Sequence, residues 1–408
     1  MTATTDAERT AVPESYLQYL RLPDDVQSGG EVDVDSGAVL LTGATGFFGA
    51  ALLGELLAHE PDRLVYCIVR PGTEAPSERL RNSLIEFGLW DDAWGDRVRA
   101  VAGDLAMPEA GLSSQDLTLL RDEVSLIYHS GAFVNLAFPF EHVVDANVGG
   151  TVEMLRLAGR GRPKRMAHIS TLSTIDIESR NGDELADPAP LGAFETMTTG
   201  YTRSKWVSER LVEEASRRGL DVRCLRLGAL AGHSRTGVSN PNDYAWLVVS
   251  ACLEIGAVPL LRAPTSWLPV DHVARASIAL TAMSTETYLP YQVLPAGQVT
   301  YTQIFSWLRR AGYHLTTLSF SRWRDRLRGR AEHSSSAVQA IASVIPKDGL
   351  PGETQRDLHS PRTERLLAEQ GAPTPTLTED TFGVFLDAGQ RRGEIPAPTR
   401  RQATGRHD

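Results

Sequence analysis

The chain has 408 residues, 42% of them hydrophobic and 23% charged, and a formal net charge of −10. That is enough apolar material for one large nucleotide-binding domain and a substantial second lobe, so a globular protein is expected. The acidic balance argues against non-specific nucleic-acid binding and against tight contact with anionic lipid, except through a local basic patch.

Residues 1–36 form a polar extension in which only Tyr16-Leu-Gln-Tyr-Leu20 is apolar enough to predict a short helix packed on the domain behind it. The opening Met1-Thr-Ala-Thr-Thr-Asp6 lacks the basic region and apolar core of a signal peptide. Three cysteines, Cys67 and Cys224 in strand-like runs and Cys252 in a helical one, show no metal-ligand spacing. They read as packing residues in a reducing compartment, so a cytoplasmic protein without a metal site is expected.

From Ala38 a β/α alternation begins. Apolar strands are predicted at 38–42, 64–69, 98–102, 125–129, 165–170 and 221–227, separated by helical stretches such as 46–59 and 140–158. Alternation of this kind builds an α/β fold, a Rossmann-type doubly wound parallel sheet, here assigned to residues 37–258.

The first strand runs into Thr42-Gly43-Ala44-Thr45-Gly46-Phe47-Phe48-Gly49, which then opens a helix. Glycines in that context let the backbone approach a pyrophosphate seated on the helix N-terminus. The second strand closes on Arg70, 21 residues past Gly49. An acidic residue there would bind the ribose hydroxyls of NAD, whereas a guanidinium suits the 2′-phosphate of NADP, so NADPH is the expected cofactor, with Arg79 and Arg81 in support. Asp104 and Leu105 follow the third strand at the expected place of the adenine, and Ser130-Gly131-Ala132 follows the fourth, where strand order should reverse. Asn147 reads equally as a structural amide tying two strand ends and as a neighbour of the cofactor.

The fifth strand closes on Thr171, with Ser173 a competitor for the hydroxyl role, and Gly200-Tyr201-Thr-Arg-Ser-Lys205 follows on a predicted helix. Residues i and i+4 share a helix face, so the Lys205 amine can act on the Tyr201 phenol. The expected chemistry is hydride transfer to a carbonyl: Tyr201 protonates the developing oxyanion, Thr171 orients it, and Lys205 contacts ribose and lowers the Tyr201 pKa.

The apolar stretch 244–261 is interrupted by Glu254 and Gly256 and reads as a buried helix and a turn, not a membrane span. Beyond it, loops punctuated by proline and helices at 302–310 and 321–328 suggest a smaller, mostly helical C-terminal substrate lobe, 259–395, interleaved with the end of the sheet. The tail 396–408 has no apolar pattern and is expected to be disordered. Two basic runs, 160–165 and 322–330, are candidates for docking an acidic partner.

These motifs resemble the thioester reductase domains that end nonribosomal peptide and polyketide assembly lines, and their relatives in carboxylic acid reductases, within the extended short-chain dehydrogenase/reductase superfamily. The resemblance runs from about Ala38 to Leu327 through the glycine turn, Val69-Arg-Pro71, Gly103-Asp-Leu105, His129-Ser-Gly-Ala132, Ile169-Ser-Thr171, Gly200-Tyr-Thr-Arg-Ser-Lys-Trp206, Arg226-Leu-Gly228 and Trp267-Leu-Pro-Val-Asp271. It implies an NADPH-dependent enzyme that releases an acyl or peptidyl chain, held as a phosphopantetheine thioester on a carrier protein, as an aldehyde, with further reduction to the alcohol left open. It also adds Leu227 and Gly228 to the cofactor-binding residues.

Two positions depart from the pattern: Ser130 stands where many relatives have Asn, and Leu227 where many have Pro. No adenylation or carrier sequence is present, so the chain is either a free-standing reductase, which the Met1 start favours, or a domain cut from a longer protein. A fatty acyl-CoA reductase, a non-enzymatic NADP sensor and a sugar-nucleotide epimerase or dehydratase are the competing readings.

Overall fold

The computed structural model describes residues 12–135, 137–175, 187–284, 288–345 and 358–398. Seven strands form the main sheet: β1 (Ala38–Thr42), β2 (Val65–Val69), β3 (Val98–Ala102), β4 (Val124–His129), β5 (Arg165–Thr171), β6 (Val222–Leu227) and β7 (Tyr291–Val293). Their order is β7-β6-β5-β4-β1-β2-β3, and every pairing is parallel. Strands β1, β2 and β4 are buried at every position, which is why they read as continuous apolar runs without alternation.

The six strands expected from sequence are all present. The seventh was not foreseen: β7 is three residues long, too short to carry a pattern, and is recruited by register, with Tyr291 opposite Leu225 and Val293 opposite Leu227.

Helix α1 (Phe47–His59) follows β1 directly. The predicted helix over 140–158 is interrupted: α2 (Phe140–Val144) passes into a wide π turn at Asp145–Gly149, and α3 (Gly150–Gly159) resumes beyond it. Two consecutive glycines weaken the helix there, and Asn147 sits within the wide turn. Helix α4 (Gly200–Arg217) starts at a capping box between Thr199 and Thr202 and buries Val207, Leu211, Val212 and Ala215. Those residues join Leu40, Tyr66, Ile127 and Leu155 in one core.

The short N-terminal helix packs as expected, the Tyr16 ring lying 4.8 Å from Phe140 and 4.7 Å from Phe194. Arg218, just beyond α4, holds the chain behind that helix by donating to the carbonyls of Leu22 and Pro23 at 3.0 and 2.7 Å.

The chain divides into two compact units, each drawn from separate stretches of sequence. One takes in the residues up to Gly228 with Asp271–Leu294 and His359–Thr374; the other takes in Ala229–Val270, Pro295–Leu358 and the residues from Pro375. The first break falls at 228/229, where the expected boundary was 258/259, and the chain later returns to the first unit to add β7 to the sheet.

The second unit is mostly helical around its own core of Val249, Cys252, Ile304, Trp323, Leu327 and Phe382. Its helix α5 (Tyr244–Ile255) ends at Gly256, whose φ of +65° is left-handed, and the chain turns into the strand Ala257–Pro259. No helix among the described residues is long and apolar enough to cross a membrane. Of the expected disordered tail, residues 399–408 lie outside the described residues, as do residues 1–11 of the extension.

Candidate functional site

Because the sheet is parallel, the residues that close its strands share one edge. Gly43, Arg70, Gly103, Ser130, Thr171 and Gly228 all stand at carboxyl ends of β1 to β6. The order reverses between β1 and β4, which opens a crevice at that edge.

The crevice is shaped by glycine. Gly43 has φ +78°, and a Cβ there would lie 2.8 Å from the Cα of Gly131. A Cβ on Gly49 would lie 2.1 Å from the Gly43 carbonyl oxygen, so α1 can start this close to the turn only with glycine. Gly46 caps α1 without a side chain, which leaves the first helical N–H groups open to an anion beside Thr45. Phe47 and Phe48, expected at the cofactor, are the first two residues of α1 and are buried; Phe47 packs edge-on against Phe87 at 5.6 Å.

Thr42 accepts from the Gly131 N–H at 2.9 Å, joining the two strand exits, and Ser130 and Ala132 keep part of their surface open on either side. Leu105 crowds Gly131 and Gly150, which only glycine at those positions accommodates. Asp104 turns its own loop, accepting from Ala106 N–H at 3.0 Å. A cradle that any Cβ would fill, ending in an uncapped helix N-terminus, fits a dinucleotide.

Arg70 is exposed, and its guanidinium has no hydrogen-bond or ion-pair partner among the described residues. Arg79 donates to the Arg70 carbonyl at 3.0 Å and so braces that turn. Arg81 is committed elsewhere, lying over the Trp90 ring at 5.3 Å and 3.7 Å from Asp92.

Lys205 lies on α4 with its side chain buried, and its Nζ donates to the Ile169 carbonyl of β5 at 2.7 Å. That bond ties the helix of Tyr201 to the strand of Thr171, two residues before Thr171 itself. Tyr201 keeps some open surface, whereas the surrounding protein pushes its phenol up to about 12. The expected lowering of the Tyr201 pKa by Lys205 is therefore not what this geometry produces: Lys205 is engaged by Ile169, and burial dominates at the phenol. Burial lowers Lys205 to about 8, opposed by the fields of Cys224 and Glu209. The Thr171 hydroxyl accepts from the Ser173 N–H at 3.2 Å and lies 3.3 Å from the Ser173 hydroxyl, so the two candidates sit in one turn.

Asn147 is buried and fully engaged. Its Oδ1 accepts from Phe133 N–H at 2.6 Å, and its Nδ2 donates to the Phe133 carbonyl and to Ser204 Oγ at 3.2 and 2.8 Å. It is a structural amide, but it ties the exit of β4 to the Tyr201 helix, not two strand ends; Ser204 in turn donates to the Tyr201 carbonyl at 2.7 Å.

Sequence reasoning missed Glu209 and Arg226, a buried ion pair at 2.8 Å beneath these groups. Glu209 stands one turn past Lys205 on the same face, a spacing that could have pointed to it. His129 was quoted only as part of a motif, yet its ring links Thr42 at 2.9 Å to Thr151 at 3.1 Å. All three cysteines are buried and unpaired, and burial raises each thiol above its ordinary range.

Residues 41–277 match the male sterility protein family. The chain is similar to a linear gramicidin synthase protein of Brevibacillus parabrevis, 32% identical over 88% of this chain and 7% of that protein. It is likewise similar to the large L-2-aminoadipate reductase polypeptide of Penicillium chrysogenum, 32% identical over 88% of this chain and 28% of that one. Among solved structures, the terminal R domain of the myxalamid PKS-NRPS pathway superposes with a TM-score of 0.86 at 33% identity, covering 94% of this chain and 99% of that one. The chain thus spans a small part of the curated relatives and nearly all of the solved domain.

With the phenol protonated across the neutral range, an alkaline loss of turnover belongs to the amine. The kcat/KM for hydride transfer is expected to fall as pH rises through about 8, where Lys205 loses its proton. In Lys205→Arg the residual activity should lack that limb, since a guanidinium stays charged. A limb in the wild type near the ordinary lysine value of 10.5 would count against this assignment.

Proposed function

The chain belongs to the male sterility protein family of NAD(P)-binding reductases, and we propose that it is an NADPH-dependent thioester reductase. It takes an acyl or peptidyl chain held on the phosphopantetheine of a carrier protein and releases it as the aldehyde. The observation that carries this reading is the Lys205 bond to Ile169, which links a phenol-bearing helix to the hydroxyl-bearing exit of β5 at the carboxyl edge of the sheet.

Gly43, Thr45, Gly46 and Gly49 would hold the pyrophosphate, Asp104 and Leu105 the adenosine end, Ser130, Gly131, Ala132, Leu227 and Gly228 the nicotinamide end, and Arg70 the 2′-phosphate. Bound there, the nicotinamide supplies a hydride to the thioester carbonyl carbon. The chain's own part is to manage the oxygen. Thr171 donates a hydrogen bond that orients it, and Tyr201, protonated at neutral pH, delivers the proton as negative charge develops. Lys205 fixes the Tyr201 helix and keeps a positive charge beneath it. Collapse of the tetrahedral adduct expels the pantetheine thiol and leaves the aldehyde.

Carrier proteins are commonly acidic, so docking needs a local basic surface. The run 160–165 no longer offers one: Lys164 and Arg165 are buried, Arg165 pairs with Asp221 at 2.8 Å, and Arg160 pairs with Asp25 at 2.7 Å. Helix α6 (Phe320–Arg330) of the second unit remains. It buries Trp323 and Leu327 and exposes Arg322, Arg328 and Arg330, whereas the Arg324 side chain is only 19% exposed.

Mixing the protein, NADPH and acyl thioesters on pantetheine, CoA and a carrier, with products read by mass spectrometry, tests the reading; aldehyde from CoA thioesters alone would favour an acyl-CoA reductase instead. Tyr201→Phe should keep NADPH affinity while losing most turnover, because it removes a proton donor and little binding surface. Near wild-type turnover in that variant would overturn the catalytic assignment.

Arg70→Ala should weaken NADPH binding by roughly ten- to hundredfold, the worth of a charge-assisted bond to phosphate, and leave NADH binding little changed in a titration. Equal losses with both cofactors would assign Arg70 to folding. Arg322→Glu with Arg326→Glu should lower kcat/KM for a carrier-bound thioester by about tenfold and spare a pantetheine thioester. An equal effect on both substrates, or on neither, removes α6 as the dock.

A further inference from the structure

Beneath the exit of β5 lies a buried polar cluster that the reaction described above does not use. Glu209 is 1% exposed, on α4 one turn beyond Lys205. Its Oε2 accepts from Arg226 Nε and Nη2 at 2.9 and 2.8 Å. Its Oε1 accepts from the hydroxyls of Ser170 and Thr174, at 2.5 and 2.7 Å. Arg226, 2% exposed on β6, also donates to the Ala189 carbonyl.

One carboxylate thus gathers four hydrogen bonds from three parts of the first unit: the end of β5, the turn behind it, and β6. Two of the donors bracket Thr171. Ser170 immediately precedes it, and Thr174 closes the short 3-10 turn that Thr171 caps, its hydroxyl also lying 2.8 Å from the Thr171 carbonyl. The Ile169 carbonyl that receives Lys205 stands at the start of the same segment.

A carboxylate this deeply buried requires full pairing, and a wholly apolar contact could hold α4 to β5 without that cost. What an apolar contact cannot do is fix the direction of two hydroxyl-bearing residues on either side of a third.

We propose that Glu209, braced by Arg226, is a positioning residue of the reductase. By holding Ser170 and Thr174 it fixes residues 169–174, and with them both the Thr171 hydroxyl and the carbonyl that anchors Lys205. This rests on the assignment of Thr171, Tyr201 and Lys205 to the reaction. Glu209 touches no substrate; it acts through the strand end.

The test separates positioning from folding by leaving the ion pair intact. Ser170→Ala with Thr174→Val removes the two donors, keeps Glu209 paired with Arg226, and should lower kcat by about tenfold or more, as small misplacements of reacting groups do. The KM for NADPH should stay within about twofold, since the cofactor crevice is not touched; the melting temperature should fall because Glu209 Oε1 loses its two donors, so kcat is read well below the transition. Glu209→Leu with Arg226→Met removes the acceptor and its paired cation together, so it should show the same drop in kcat even where the apolar pair keeps the melting temperature.

Wild-type kcat in the Ser170→Ala/Thr174→Val enzyme would overturn the proposal, as would wild-type kcat in a stably folded Glu209→Leu/Arg226→Met enzyme. Tyr201→Phe, assayed beside them, tells the two failures apart. If it is inactive while the double variant is unaffected, only the role of Glu209 falls; if it is active, the underlying assignment falls.

Discussion

A buried ammonium is the constraint around which the first unit is organised. Taking the Lys205 side chain out of water costs several kcal/mol in any protein interior, and the lowering of its pKa to about 8 records that cost. The fold offsets it with a carbonyl from β5 and a carboxylate on its own helix, and nearby basic groups are kept from adding to it. His129 is held at about 3 and His168 also far below its usual range, both by burial first and by the Lys205 charge second. Burial keeps two imidazoles at the centre of the sheet neutral, and the charged amine beside them adds to that effect. The ammonium stands where the helix and the strand end are joined, with Glu209, paired to Arg226, one turn further along the same helix.

The crevice depends on a different device, that of missing side chains. Gly43, Gly49 and Gly131 each remove an atom that would meet backbone or a neighbouring side chain at under 3 Å, and Gly150 does the same against Leu105. Their effect is to let β1, α1 and the exit of β4 converge more closely than ordinary residues allow, leaving backbone N–H groups as the lining. Thr42 and His129 then lock that convergence from below through hydrogen bonds to Gly131 and Thr151. Glycine creates the approach, and the buried polar chain keeps it from relaxing.

Much of this was legible in the sequence, and the reason lies in period and punctuation. Most of the six longer strands are fully or largely apolar runs, β5 being the exception, and the glycine turn, Arg70, Thr171 and the Tyr201–Lys205 pair each occupy a fixed offset from one of the six. What was not legible depended on partners distant in the chain. β7 is a strand only because β6 offers it an edge. Asn147 gave no sign of which amide contacts it would make, since Phe133 and Ser204 stand 14 and 57 residues away. Arg226 was quoted only within a motif and Glu209 not at all, and their pairing, 17 residues apart, is set by how α4 packs on β6. The influence of Lys205 on Tyr201 was misjudged for the same reason: i and i+4 spacing makes contact possible, but the amine found a stronger acceptor in Ile169.

Charge runs teach the same lesson from the opposite side. Arg160-Gly-Arg-Pro-Lys-Arg165 and the arginines of α6 look alike as text, yet the first run is consumed by the fold more completely: in α6, Arg328 and Arg330 reach the Ile345 and Ile255 carbonyls, each at 3.4 Å, and remain exposed. Within 160–165, Lys164 Nζ satisfies three backbone carbonyls at 2.6 to 3.1 Å, Arg165 pairs with Asp221, and Arg160 meets Asp25 of the N-terminal extension. Those cations stand at the start of β5, where the helix ends of Arg121 and Arg160 and the Arg162 turn present carbonyls. Along α6 the arginines flank only two buried positions, Trp323 and Leu327, so most of the remaining circumference faces solvent. The number of cations in a run therefore says little about its surface potential. What decides it is how many unpaired carbonyls and carboxylates the fold brings to the same place.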